Sequence, residues 1–405
     1  MPRTPRMARW WSASAVIALN TAILFLLVNG AASIVERATQ PPTVESRRTA
    51  VDERTGTPLS AVYPGMSDDD IVQLLTETWS RTHAYEPFTG HTERPFAGRY
   101  VNVAEHGVRS NGVANPWPPT AEGTVFVLGG STTFGVGVAD SQTIPSYLER
   151  ELRARIGPGI HVYNFGRGYY YSSLERALFA RLIEERGVPS VAVFIDGLND
   201  FILEEPPYAG RLRQFMDGTL PGPAARSLAV VRVGRRALAR LTAGRGNQSG
   251  SGPDAVAVRG TQAARDTTVL PVIERYLTNK RMVEAIAVSE GTATLFVWQP
   301  VPVHGYDNRY NPYLPRAGWV IRSGERTRFG YERFAQVRDS APSAYGLLWL
   351  ADMQREDTTA LYVDQVHYTA ALSKRIAERI ADAIVERRLL IAPLNASPAM
   401  SGIPD

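Results

Sequence analysis

The 405-residue chain contains no cysteine. That excludes disulfides, thiolate metal sites and a lipidated N-terminal cysteine. It leaves the compartment open, because many exported proteins manage without disulfides. Lysine is nearly absent as well, with only Lys280 and Lys374. The basic charge therefore rests on arginine, spread among acids to a net charge of only +4. No basic stripe follows from that distribution, so nucleic acid is not an expected partner. An internal repeat is missing, and so is any G-x-S-x-G run, which removes the strand–turn–helix elbow of the α/β-hydrolases.

One long uncharged stretch is present. Arg3, Arg6 and Arg9 precede residues 10–35, and Glu36 and Arg37 close them. The stretch is long enough to cross a bilayer as a helix. Trp10 and Trp11 stand where interfacial aromatics sit, and the basic cap belongs on the cytoplasmic side. The expectation is a cytoplasmic tail (1–9) and a single-pass signal-anchor (10–35) in the inner membrane, with the rest facing the periplasm or exterior. The alternative is secretion after cleavage near Gly30-Ala-Ala32, although a signal peptide's apolar region usually runs to about 7–15 residues.

Residues 36–65 are polar, contain proline and lack period, and read as a linker. A collar over 66–120 follows, opening with an amphipathic helix at 67–81 and continuing with aromatic, Gly- and Pro-rich sequence. From 121 to 390 the pattern becomes strand–helix alternation. Strands are expected at 125–128, 160–164, 191–195, 294–298 and 361–363, with helices at 144–156, 174–185, 272–289 and 369–387. This is the signature of an α/β fold, a three-layer α/β/α sandwich around a central parallel sheet. An insertion at 206–268, containing an Arg-rich amphipathic piece at 227–241, interrupts it, and a tail covers 391–405.

Four short blocks stand in fixed order along this region. Val125-Phe-Val-Leu-Gly-Gly-Ser131-Thr-Thr is followed by Val162-Tyr-Asn-Phe-Gly-Arg-Gly168, Val193-Phe-Ile-Asp-Gly-Leu-Asn199-Asp and Asp364-Gln-Val-His367. The first and third are apolar strands ending in glycine plus a polar residue, which delivers that residue to the edge where parallel sheets bind ligands. Together they supply a serine nucleophile, a histidine base with an acid three residues upstream, and an asparagine donor, the parts acyl transfer needs. The remaining histidines, with His106 and His304 the least settled, lack such a partner pattern.

The order and residue types resemble the SGNH (GDSL-like) hydrolase superfamily, specifically membrane-anchored bacterial members whose first block reads Gly-Gly-Ser-Thr rather than Gly-Asp-Ser. The resemblance spans roughly 124–387 apart from the insertion, and the stretch 85–112 looks like the lead-in of such proteins. It implies a flavodoxin-like sheet and a serine esterase with Ser131, His367 and Asp364 as triad and Asn199 as oxyanion donor. The family's second donor is a main-chain N–H five residues after the strand-end asparagine. Counting from Asn164 reaches Tyr169, and Gly168 is the expected donor within 166–169. Tyr169, Tyr170 and Tyr171 are expected to line an acyl or sugar pocket. No metal or organic cofactor is implied. The expected substrate is an acylated small molecule or polysaccharide, handled by a carbohydrate esterase or O-acyltransferase. A lipase or lysophospholipase and a non-catalytic glycan-binding scaffold of the same fold are the alternatives.

Overall fold

The computed structural model describes residues 6–38, 59–112, 123–185, 187–203, 209–217, 228–231, 233, 262–313, 324–340 and 346–390. The chain forms two compact units, one from residues 1–43 and 210–256 and the other from 44–209 and 257–405. In the first, a helix runs over Arg6–Ala38. It starts four residues before the expected span. Its 22-residue stretch Ser14–Val35 is long and apolar enough to cross a membrane. This unit also holds part of the expected insertion, a helix at Ala209–Met216. Most of 227–241, the linker residues 39–58 and the tail 391–405 lie outside the described residues.

The second unit opens with buried Leu59, Val62 and Tyr63, so the end of the expected linker already belongs to the folded body. Helix α1 (Asp68–Ser80) follows, N-capped by Ser67, whose side chain accepts the Asp70 N–H. Four two-residue strands make the collar: β1 (His83–Ala84) pairs with β2 (Thr92–Glu93), and β3 (Phe96–Ala97) with β4 (Asn102–Val103). The buried Glu77 of α1 fixes the turn between β3 and β4 by accepting the N–H groups of Arg99, Tyr100 and Val101 at 2.8–3.0 Å.

The sheet begins with β5 (Thr124–Gly129), followed by the one-turn helix α2 (Ser131–Phe134) and α3 (Ile144–Arg155). Next come β6 (His161–Gly166), α4 (Ser172–Glu184), β7 (Val191–Asp196) and the short α5 (Leu198–Ile202). After α6 (Gln262–Ser289) the chain makes β8 (Ala293–Trp298), α7 (Gly324–Ser340), β9 (Leu348–Trp349) and α8 (Ala370–Glu386). The five strands pair in parallel in the order β6-β5-β7-β8-β9. Strand order therefore reverses at β5, and the crevice outside the carboxyl ends of β5 and β7 is the switch point where such sheets bind ligands.

The pleat explains the layers. Val125 and Val127 share a core with Ile144, Leu148 and Leu152 of α3 and Leu372, Ile376 and Ile380 of α8. Phe126 and Leu128 point the other way, into a core with Leu174, Leu178 and Phe179 of α4 and Val283 and Ala287 of α6. Strands buried on both faces need continuous apolar sequence, which is why they were legible.

Three expectations are corrected. The sheet's last strand is Leu348–Trp349, whereas residues 361–363 fold back on 367–369 through an antiparallel bridge between Tyr362 and Tyr368. Helix α6 starts ten residues before 272, because it runs through Pro271 instead of ending there. Helix α7 has no counterpart among the expected elements.

Close approach of α2 to the sheet depends on glycine. A Cβ on Gly166 would lie 2.2 Å from the Phe134 nitrogen and 2.6 Å from the Thr133 carbonyl carbon, both backbone atoms that cannot swing away. Gly166→Ala should therefore lower stability by about 1–3 kcal/mol in urea denaturation, the range for overpacking a tight interior.

Candidate active site

Ser131 is the first residue of α2 and stands two residues beyond the end of β5. The turn that lifts it above the sheet is closed by Gly135 at φ +84°, whose N–H donates to the Ser131 carbonyl at 3.0 Å. Buried Arg109 from the collar takes the open carbonyls beyond it. Its guanidinium donates to the carbonyls of Phe134, Gly135 and Val138 at 2.5–2.8 Å and to Asp140 at 3.0 Å. A helix of one turn cannot satisfy its own last carbonyls, and this arginine does so.

His367 and Asp364 share a tight loop whose ends are tied by Val363 N–H to His367 carbonyl (2.8 Å) and Thr369 N–H to Leu361 carbonyl (2.9 Å). Within it, Asp364 Oδ1 accepts the N–H groups of Val366 and His367 at 2.9 and 2.8 Å. Its Oδ2 accepts His367 Nδ1–H at 2.6 Å. With Nδ1 protonated, Nε2 is free to accept the Ser131 hydroxyl, and the separation is 2.8 Å. Burial raises the Asp364 carboxyl, but the neighbouring His367 charge, its hydrogen bond and the two amides outweigh burial and hold the group below the ordinary aspartate range. Ser131, Asp364 and His367 are all half-buried, so solvent and ligand reach them.

Asn199 sits on α5, beyond β7. Gly197, at φ +132°, has no room for a side chain, since a Cβ would meet the Tyr331 hydroxyl at 2.2 Å. The Asn199 amide donates to the Tyr170 carbonyl at 2.7 Å, which leaves its second N–H for a ligand oxygen. The same amide explains the missing acid in the first block: a Cβ on Gly130 would lie 2.5 Å from Asn199 Nδ2.

The loop 166–171 departs from expectation. The Gly168 N–H donates to the buried Glu93 carboxylate at 3.3 Å, so it is spent within the protein. Gly166 N–H goes to Asn164 Oδ1 (3.0 Å) and Arg167 N–H to the Gly129 carbonyl (3.0 Å). The N–H of Tyr169, at φ +66°, makes no hydrogen bond within the described residues. The tyrosines also divide. Tyr169 is 54 % exposed, whereas Tyr170 and Tyr171 are buried. Tyr170 donates its hydroxyl to the His91 carbonyl at 2.8 Å, and the Arg275 guanidinium lies 5.1 Å from the Tyr171 ring centre. Neither of those two lines a pocket, because the collar and α6 cover them.

Gln299, just after β8, was not anticipated. Its Oε1 accepts the Thr132 hydroxyl at 2.8 Å and lies 3.0 Å from the Tyr368 hydroxyl, which it shares with the Pro300 carbonyl at 2.7 Å; Thr132 and Tyr368 are the residues immediately after Ser131 and His367. One buried amide thus sets the register between the two halves of the site; its position at a strand end was the available signal. His304 pairs with Asp352 at 3.0 Å, and the His106 carbonyl accepts from Arg167 at 3.2 Å. Among the described residues no group of three or more histidine or carboxylate side chains is arranged to hold a metal.

Beneath Asn199, Glu175, Asp196 and Asp200 are each 3 % exposed or less. Asp200 accepts the Ser172 hydroxyl at 2.6 Å, which ties α5 to α4. Burial first, and the neighbouring carboxylates second, push Glu175 and Asp196 well above the ordinary range; burial also raises Asp200. Both Glu175 oxygens and Asp196 Oδ1 have no hydrogen-bond donor among the described residues, in keeping with the raised affinity of the pair for protons.

No family model and no curated protein sequence matches the chain. Among solved structures it is similar to a putative lipolytic protein of the G-D-S-L family from Desulfitobacterium hafniense, with 12 % identity, 64 % of this chain and 98 % of that one covered, and a TM-score of 0.33. An acetyl xylan esterase matches at 13 % identity, 64 % and 99 % coverage and a TM-score of 0.35. A lipase/acylhydrolase from Enterococcus faecalis matches at 15 % identity, 65 % and 96 % coverage and a TM-score of 0.34.

Folding raises the three buried carboxyls above the value of about 4 they have in an unfolded chain. Their contribution to stability is complete below that pH and is lost as pH rises through the native pKa values, because the unfolded chain releases protons the native state retains. Urea titrations between about pH 5 and pH 9 should show wild-type stability declining, and Glu175→Gln, with one ionisation removed, declining less.

Proposed function

We propose that the chain is a serine ester hydrolase acting by two-step acyl transfer, with acylated envelope or extracellular polysaccharide as its substrate class. The observation that carries this reading is the unbroken line from Asp364 through His367 to Ser131, with links of 2.6 and 2.8 Å. Ser131 Oγ attacks the ester carbonyl while its proton passes to His367 Nε2. Asp364 keeps Nδ1 protonated and stabilises the imidazolium that forms. Collapse of the tetrahedral intermediate breaks the ester C–O bond, and His367 returns the proton to the departing alcohol. Water, deprotonated by the same imidazole, then cleaves the acyl-enzyme and restores Ser131. A sugar hydroxyl in place of that water gives O-acyl transfer with the same groups.

The developing oxyanion needs donors aimed before the reaction begins. The free N–H of the Asn199 amide is one, and the N–H of Tyr169 is assigned as the second in place of Gly168, whose N–H Glu93 occupies. Polysaccharide is favoured over a lipid chain because the reacting groups are half-buried, within reach of a polar polymer, and the loop that carries the proposed Tyr169 donor exposes that ring. The apolar helix at Ser14–Val35 supports a signal-anchor in the inner membrane that leaves this domain on the periplasmic side.

The test is hydrolysis of p-nitrophenyl acetate by the full chain in detergent. Ser131→Ala should abolish turnover, and Asn199→Ala should lower kcat by about 10²–10³-fold, the typical worth of one oxyanion donor. Turnover that survives Ser131→Ala would overturn the mechanism. A preference for long-chain over acetyl esters would overturn the substrate class alone.

A further inference from the structure

We propose that the N-terminal collar is a clamp that holds Tyr169 in the left-handed backbone conformation and so aims its N–H at the oxyanion, with His91 as the principal positioning residue. This rests on the hydrolase reading above. It extends that reading to a part of the chain that contributes no group to the reaction.

Four residues other than glycine have positive φ among those described: Phe88 (+65°), His106 (+64°), Tyr169 (+66°) and Arg388 (+54°). For bulky side chains this conformation is an outlier, and it persists only where surrounding contacts over-determine it. One of the four, His106, is bound directly by the buried Arg167 guanidinium, which also binds neighbours of two others, Tyr170 next to Tyr169 and Glu86 two residues before Phe88. The guanidinium donates to the His106 carbonyl at 3.2 Å, to the Tyr170 hydroxyl at 2.9 Å and to the carboxylate of Glu86. Glu86 belongs to the turn that contains Phe88, closed by Gly90 N–H to the Glu86 carbonyl at 2.8 Å.

Planarity of the peptide unit makes the clamp directional. The Gly168 carbonyl and the Tyr169 N–H belong to one trans peptide and point in opposite senses. His91 Nε2 lies 2.8 Å from the Gly168 carbonyl oxygen and must be the protonated nitrogen, because a carbonyl only accepts. Drawing that carbonyl into the collar turns the Tyr169 N–H out of it. Glu93 fixes the preceding unit through the Gly168 N–H and is itself held by Arg81 at 2.8 Å. The next residue of the same loop ties it to the other proposed donor, because the Tyr170 carbonyl accepts the Asn199 amide at 2.7 Å.

The experiment compares His91→Leu, His91→Gln and His91→Leu/Tyr169→Gly in p-nitrophenyl acetate hydrolysis, with melting curves for each. His91→Leu should lose about 10–100-fold in kcat with KM changed less than about twofold, since the loss falls on the transition state. His91→Gln keeps an N–H near the same place and should retain most of the rate. Glycine adopts positive φ without strain, so the double variant should recover at least about fivefold over His91→Leu. A double variant no faster than His91→Leu, in an enzyme whose wild type is active, overturns the clamp and leaves the hydrolase reading standing. Should His91→Leu fail to fold, melting of Tyr169→Gly against Tyr169→Ala decides. Both lack the ring, and only alanine keeps the strain, so the glycine variant should melt about 2–4 °C higher. Coincident melting overturns the clamp. A wild type without Ser131-dependent turnover overturns the hydrolase reading instead, and the melting comparison still tests the strain.

Discussion

Contact between the backbone of α2 and the ends of β5 and β6 is the constraint from which the candidate site follows. A one-turn helix has too few internal hydrogen bonds to hold itself, so its place must be set by what it touches. Gly129 and Gly166 remove the side chains that would hold it off, and Arg109 binds the carbonyls at its far end. With α2 seated, Ser131 stands at the reversal of strand order, beside the strand that leads into Asn199. Thr132 then reaches Gln299, which also receives Tyr368. A displacement of α2 by the width of a methyl group would disturb the serine, its neighbour and the histidine loop together.

Parts of this were legible from sequence for a physical reason. Doubly buried parallel strands require unbroken apolar runs, and those runs end where ligands bind. Ser131 and Asn199 could therefore be placed from local sequence, and Asp364 and His367 from their spacing before the last helix. The two-residue β9 could not be read, because Leu348-Trp349 is too short to carry a period. Residues 361–363 look like a strand since Leu361, Tyr362 and Val363 are all buried, yet they pair only with the far side of their own loop. Around 166–171 sequence reasoning failed for a different cause. Which N–H is left free depends on partners about 75 residues upstream, Glu93 and His91, and no local pattern encodes that. The burial of Tyr170 and Tyr171 has the same origin.

The collar and the sheet thus divide the work in a way their sequences conceal. The sheet supplies strand ends and the groups that would exchange protons. The collar supplies buried polar contacts (Glu77, Glu86, Glu93 and Arg109 among them) that set backbone directions. Such contacts contribute little net free energy, because desolvation offsets most of the attraction, but each is costly to leave half-made. Their effect is to select one arrangement of the loops among many of similar energy.

The separation of 236 residues between Ser131 and His367 has a temporal meaning. A chain emerging from the ribosome completes β5, β6 and β7, with Ser131 and Asn199 already at their edge, long before the histidine exists as polymer. Contacts of such long range form late, since the entropy of closing the intervening loop must be met before they return anything. Docking of α8 against α3, the step that draws in the 364–367 loop, thus falls near the end of folding. Nascent or C-terminally truncated chains thus carry Ser131 without the histidine that meets it in the folded protein, a separation imposed by topology alone.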